Sequence, residues 1–196
     1  MMTIDIREAY RRALDDFGAL VHRIEPDQWQ TRTPCVDWDV HALVNHVVRE
    51  NLGAPELLSG RSAAEIGDIF DGDLLGDDPI KAFDASAMGA VQAASSDHSL
   101  TCVTRLSFGD VSGAEYIAEL FADALIHTWD LARAIGADER LDLELVEACT
   151  AWFADAENDY RQAGVIGKPQ SVPSGTDPQT RLLASWGRVA RPCPSA

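Results

Sequence analysis

Between about residues 114 and 135 the chain is apolar over most of a helix's circumference, and Gly136 stands where a helix end favours a left-handed residue. A helix of that kind needs neighbours on nearly every side, which makes it the centre of a helical bundle. Its few polar residues, Glu119, Asp123, His127 and Asp130, fall on one side. Asp123 and His127 are four residues apart, one turn above each other, so a carboxylate and an imidazole can converge on one small target. A metal ion is the natural target. A solvated polar face would show the same pattern, and spacing alone does not separate the two.

Two ligands from one helix cannot close a site, and His46, in a helix predicted over 39–58, is the candidate third. There Val40, Leu43, Val44, Val47 and Val48 form the inner stripe, and His46 flanks it beside Leu43 and Glu50. His46, Asp123 and His127 offer two imidazole nitrogens and a carboxylate oxygen, which bind a zinc-like ion at about 2.0–2.2 Å. Three protein ligands leave a position open for water or substrate, the pattern of a catalytic zinc site. Ligation by nitrogen and oxygen alone also admits nickel, iron, manganese or cobalt. Glu50, one turn beyond His46, is a ligand, a supporting acceptor or a solvated residue; Asp130 either holds an imidazole in place or pairs with Arg133. His41 reads as a surface residue at a helix start, and His22 and His98 belong to no constellation.

The remaining helices follow from the same periodicity. Apolar residues from Ile6 to Ile24 predict a first helix over about 5–25, ended by Pro26. A turn-rich connector follows, with Trp29, Cys35 and Trp38, and either Asp37 or Asp39 can cap the helix after it. Residues 59–78, with four glycines and five aspartates, read as a long acidic loop with room for a helical turn. It lacks the alternating ligands and distal Glu of a calcium loop. Asp78-Pro79 starts a third long helix, running to about 96, with Ile80, Phe83, Ala87, Val91 and Ala94 as its buried face. Leu100 to Phe108 alternates and is β-branched, as a short strand or an extended crossover would be, and Gly109 to Gly113 reads as a turn. A fifth helix over about 142–162 buries Leu143, Val146, Cys149, Phe153, Ala156 and Tyr160, and an irregular tail over 164–177 leads to a short last helix with Leu182, Leu183 and Trp186.

The 196 residues fit one domain, 1–196. The 32 acidic and 16 basic residues give a net charge of −16, which repels nucleic acid and anionic membranes. No apolar run approaches the roughly 20 residues of a membrane helix, and Met1 to Arg7 shows no secretory signal, so a cytoplasmic protein is expected. Cys35, Cys102, Cys149 and Cys193 have neither disulfide nor zinc spacing and read as reduced, mostly structural thiols. No nucleophile elbow and no phosphate-binding glycine loop is present.

The stretches Trp29…Thr33-Pro34-Cys35…Trp38-Asp39-Val40…Asn45-His46-Val47, His127-Thr-Trp-Asp-Leu-Ala-Arg133-Ala-Ile-Gly136 and Arg181-Leu-Leu-Ala184…Gly187-Arg188 resemble the metal-binding domain of mycothiol-dependent maleylpyruvate isomerase. The likeness is closer to stand-alone actinobacterial relatives of that domain, within the DinB-like superfamily, and it spans nearly the whole chain. It implies an all-α, up-down-down-up four-helix bundle, to which the periodicity above adds a short C-terminal helix and room for one short strand. It also implies a divalent metal, zinc first, held by a His from the second helix and an acidic-x-x-x-His pair from a later one, positions that match His46, Asp123 and His127. The family commonly has Glu where this chain has Asp123, and the shorter carboxylate requires a closer helix or a water between. Enzymes among the relatives use the metal to bind a low-molecular-weight thiol such as mycothiol or bacillithiol. The resemblance therefore implies a metal-dependent thiol S-transferase, with a non-catalytic metal-binding protein as the alternative, and a homodimer is expected. The chain ends at Ala196 without the isomerase's C-terminal domain, so isomerisation of maleylpyruvate itself is not expected.

Overall fold

The computed structural model describes residues 4–163 and 166–189. Met1 to Thr3 of the N-terminal reading, Gly164 and Val165 at the head of the expected tail, and Cys193 lie outside them. The chain divides into two compact units, Met1–Glu139 and Arg140–Ala196.

The first unit is built on four long helices: α1 (Ile6–Val21), α2 (Val40–Leu58), α4 (Pro79–Ala94) and α6 (Gly113–Ala134). In this unit α3 (Ala63–Ile66) and α5 (Asp97–Thr101) are short, and β1 (Val103–Leu106) pairs antiparallel with β2 (Gly109–Ser112). Helix α1 packs on α6 and α4, and α2 on α4 and α6, closing a ring of four. Tertiary hydrogen bonds fix the directions. Arg7, at the start of α1, reaches Asp97 beyond the end of α4, while His22, past the end of α1, meets Asp84 near the start of α4. These two helices are antiparallel. Gln28, which follows α1, bonds to the Ile135 carbonyl at the end of α6, so α1 and α6 are parallel. Cys35, ahead of α2, meets Asp130 late in α6, and Gly60, behind α2, accepts from Arg105 in the hairpin that leads into α6. Helix α2 therefore runs against α6. The result is an up-down-down-up, DinB-like all-α bundle, as the resemblance implies.

The core is made by the expected stripes. Val40, Leu43, Val44, Val47 and Val48 of α2 are all buried, and α6 buries sixteen of its 22 residues. Helix α2 begins at Asp39, whose carboxylate accepts from the Ala42 N–H at 2.9 Å. Helix α6 ends at Gly136, left-handed at φ +70, with the Ala137 N–H bonded back to the Ala132 carbonyl at 2.8 Å. The acidic stretch holds α3, started by a capping box in which Ser62 and Glu65 each satisfy the other's backbone N–H.

Four expectations are corrected. Helix α1 stops at Val21, five residues before Pro26, because the chain tightens at His22 to Ile24 into short-range turns. The segment 100–108 is not one strand. Ser96 caps a helical turn through Thr101, and the extended part pairs with Gly109–Ser112, the residues expected as a plain turn. On α4 the fully buried residues are Phe83, Ser86, Ala90 and Ala94, while Ile80, Ala87 and Val91 of the expected stripe are half-buried; Ser86 is accommodated inside by donating to the Phe83 carbonyl and accepting from Asn51. Leu143 is 57% exposed, and Leu145 is buried in its place.

The second unit consists of α7 (Leu143–Ala163) and α8 (Pro178–Ser185). Phe153 stacks on Trp186 at 4.8 Å between ring centroids, and Trp152 meets Tyr160 edge-on at 5.6 Å. Arg161 ties the unit together by donating to the carbonyls of Gly167 and Ser185 at 2.8 and 2.6 Å.

Gly53 sits inside α2, and a Cβ added there would meet nothing within 4 Å. Gly53→Ala is expected to stabilise the protein by about 0.5–1 kcal/mol, because only the entropy of the glycine backbone changes. Urea unfolding of the two proteins checks this; a lower midpoint for the alanine variant contradicts it.

Candidate metal centre

His46, Asp123 and His127 come together where α2 crosses α6. Asp123 Oδ2 lies 3.1 Å from His46 Nε2, and Asp123 Oδ1 lies 3.2 Å from His127 Nε2. One donor atom from each residue lies within 4.8 Å of the others. The i,i+4 spacing stacks Asp123 beneath His127, and the antiparallel course of α2 brings His46 opposite the pair. The solvated-face alternative does not describe this helix: His127 is 6% exposed and Asp130 is fully buried.

The other nitrogen of His127 is engaged as well. Nδ1 lies 3.0 Å from Asp130 Oδ2, three residues along α6. With the proton on Nδ1 donated to Asp130, the lone pair of Nε2 faces Asp123 and His46, the orientation a metal-binding imidazole needs. Burial works against the charged form of Asp123, yet the adjacent His127 and His46 imidazoles outweigh it and hold the carboxyl below the usual range. Burial likewise depresses His127, but the Asp123 charge, with hydrogen bonds to Asp123, Asp130 and Cys35, raises it well above the ordinary histidine value. Glu50, one turn along α2, is raised by burial, with Asp123 adding to the effect and His46, Arg49 and His127 opposing it. It does not join the converging donor atoms.

Two contributors come from the connector before α2. Residues Cys35 to Trp38 form a turn in which the Trp38 N–H bonds to the Cys35 carbonyl at 3.2 Å and Asp37 is left-handed at φ +69. Thr33 clamps it, donating through its N–H and its hydroxyl to the Trp38 carbonyl. The turn leaves Val36 85% exposed at its tip and sends its two ends inward. The Trp38 ring lies 4.8 Å from the His46 ring and 5.8 Å from the His127 ring. Cys35 Sγ lies 3.2 Å from Asp130 Oδ2 and 3.7 Å from His127 Nδ1. The reading of Cys35 as a structural thiol missed this placement. The available signal was a Thr-Pro-Cys-x-x-Trp turn immediately ahead of the helix that carries His46.

Asp130 holds an imidazole, one of the two roles expected of it. His41 lies 3.6 Å from Asp73 and edge-on to Trp29, away from the three converging donors. His22 pairs with Asp84 on the α1–α4 side.

Residues 10–132, which include every residue of this cluster, match the model of the mycothiol maleylpyruvate isomerase N-terminal domain. The chain belongs to that family. Two uncharacterized proteins of Mycobacterium tuberculosis, from strains CDC 1551 / Oshkosh and ATCC 25618 / H37Rv, are each 31% identical over 185 residues, covering 93% of this chain and 97% of theirs. No solved structure matches. Among the described residues no helix is long and apolar enough to cross a membrane.

Proposed function

We propose that this protein holds one divalent metal ion, zinc first, through His46, Asp123 and His127, and transfers a low-molecular-weight thiol such as mycothiol to an electrophile. The observation that supports this reading is the convergence of three donors on one point, with Asp130 Oδ2 3.0 Å from His127 Nδ1, where it can take the Nδ1 proton and leave Nε2 to the ion. The donor set is that of an open catalytic site, and Glu50 does not close it. When bound, the ion supplies the charge that converts a coordinated thiol to the nucleophilic thiolate.

The chain's own groups do the rest. Trp38 covers the two imidazole rings and gives the site an apolar wall that limits water. The thiol proton leaves to solvent, which reaches the site past the part-exposed side chains of His46 and Asp123. Asp130, accepting from Nδ1, favours the His127 tautomer that offers Nε2 to the ion. The family's description links it to mycothiol, and the same chemistry takes bacillithiol.

Untagged protein is expected to carry at least one equivalent of metal by inductively coupled plasma mass spectrometry. It should also accelerate conjugation of mycothiol or bacillithiol to monochlorobimane. A conjugation rate no higher than that of His127→Ala protein sinks the transferase; bound metal with no such rate leaves a non-catalytic metal protein.

A further inference from the structure

His127 has two faces, and the metal reading uses one. On the other face, Cys35 Sγ, Asp130 Oδ2 and His127 Nδ1 make a triangle with edges of 3.2, 3.0 and 3.7 Å. Tetrahedral coordination by one thiolate, one imidazole and one carboxylate, at the bond lengths zinc prefers, separates neighbouring donors by roughly 3.3–3.6 Å. Small side-chain adjustments would bring the observed edges to that range. The donors are well held: Asp130 is fully buried on α6, His127 is 6% exposed, and Cys35 is fixed by the turn that Thr33 clamps. Cys35 itself is half-buried and adjoins the exposed Val36, which leaves a way in from solvent.

We infer that Cys35, Asp130 and His127 Nδ1 form a second cation site, for a borderline-soft divalent ion such as zinc or cobalt, with the His127 imidazole bridging it to the first. Thiolate with imidazole and carboxylate selects such ions over magnesium or calcium, which take oxygen. Binding exchanges two protons for the dication: the Sγ proton that Cys35 shares with Asp130 and the Nδ1 proton of His127, both released to water. The positive ion then sits between the thiolate and the buried carboxylate. The three protein donors leave a fourth position at the solvent side of the 33–38 turn. This site shares only His127 with the proposed catalytic one, so each can fail alone.

Cobalt(II) titration of reduced, metal-stripped, full-length protein separates the two. Thiolate coordination gives a near-ultraviolet sulfur-to-cobalt charge-transfer band that a site of nitrogen and oxygen donors does not. Wild type is expected to take up two equivalents and to show the band. Cys35→Ser is expected to lose the band and one equivalent, and His46→Ala is expected to keep the band. One equivalent with no band in wild type overturns the second site and leaves the first standing. A band that survives Cys35→Ser overturns it too, since the sulfur is then Cys102, Cys149 or Cys193. One equivalent with a Cys35-dependent band supports the second site and sinks the first, and no uptake at all sinks both.

Discussion

His127→Ala is expected to remove bound metal altogether and to lower stability by about 3 kcal/mol. The imidazole is the shared element of everything that converges here: Nε2 faces Asp123, Nδ1 faces Asp130, and the ring lies against Trp38 and His46. Removing it deletes a proposed ligand and leaves the fully buried Asp130 without its imidazole partner, and breaking a buried charged pair on one side costs roughly 3–5 kcal/mol. The lower end applies because Cys35 still donates to Asp130. Against a typical stability of about 5–15 kcal/mol that is a large share. Unfolding should be compared in chelator, because a metal bound only by the native state would otherwise add its own stabilisation to wild type. Asp130→Asn keeps the shape and changes the partner of Nδ1; metal affinity should fall by about 10–100-fold, the usual effect of losing an outer carboxylate. His127→Ala protein with undiminished metal content would mean that the Asp123–His127 pair is a buried polar contact and not a site.

Much of this arrangement was legible in the sequence because it rests on local rules. The near-complete apolar circumference of α6 required a central helix. The valine stripe of α2 fixed which way that helix faces, and Asp39 and Gly136 mark termini whose physics is contained within a few residues. Asp123 and His127 could be paired because one helical turn relates them. What the sequence could not carry were contacts made by loops across the bundle. Cys35 reaches Asp130 over 95 residues, and only the direction of α2 against α6, together with the left-handed Asp37, brings them together. The hairpin was half visible: the alternation from Val103 to Leu106 is that of a strand, but its partner is a glycine-led segment with no strand pattern of its own. The end of α1 is not where its strongest stop signal lies, because the chain reaches Pro26 only after the helix has ended at Val21.

Gly113→Ala should be the most damaging glycine-to-alanine change in the described residues of the first unit, lowering stability by about 3 kcal/mol or more. Gly113 opens α6 directly after the cap residue Ser112, and its N–H bonds to the Cys102 carbonyl at 2.9 Å. A Cβ added there would stand 1.7 Å from the Ser99 carbonyl oxygen and 2.7 Å from Cys102 Sγ. The thiol could rotate away, but the carbonyl belongs to the backbone of α5. That backbone is held by the Ser99 hydroxyl, which donates to the carbonyls of Ala94 and Ser96 at 2.7 and 2.6 Å. Either α5 or the first turn of α6 has to move, and overpacking that shifts backbone lies at or beyond the upper end of the usual 1–3 kcal/mol. For a chain of this size the loss corresponds to a fall in Tm of roughly 10 °C. Since α6 carries Asp123 and His127, a displaced first turn would also tilt the helix that presents both toward His46. Differential scanning calorimetry of Gly113→Ala beside Gly53→Ala decides the matter: the same methyl group should destabilise at the crowded position and stabilise at the open one. Equal Tm values for the two variants would mean that α5 does not lie across the start of α6.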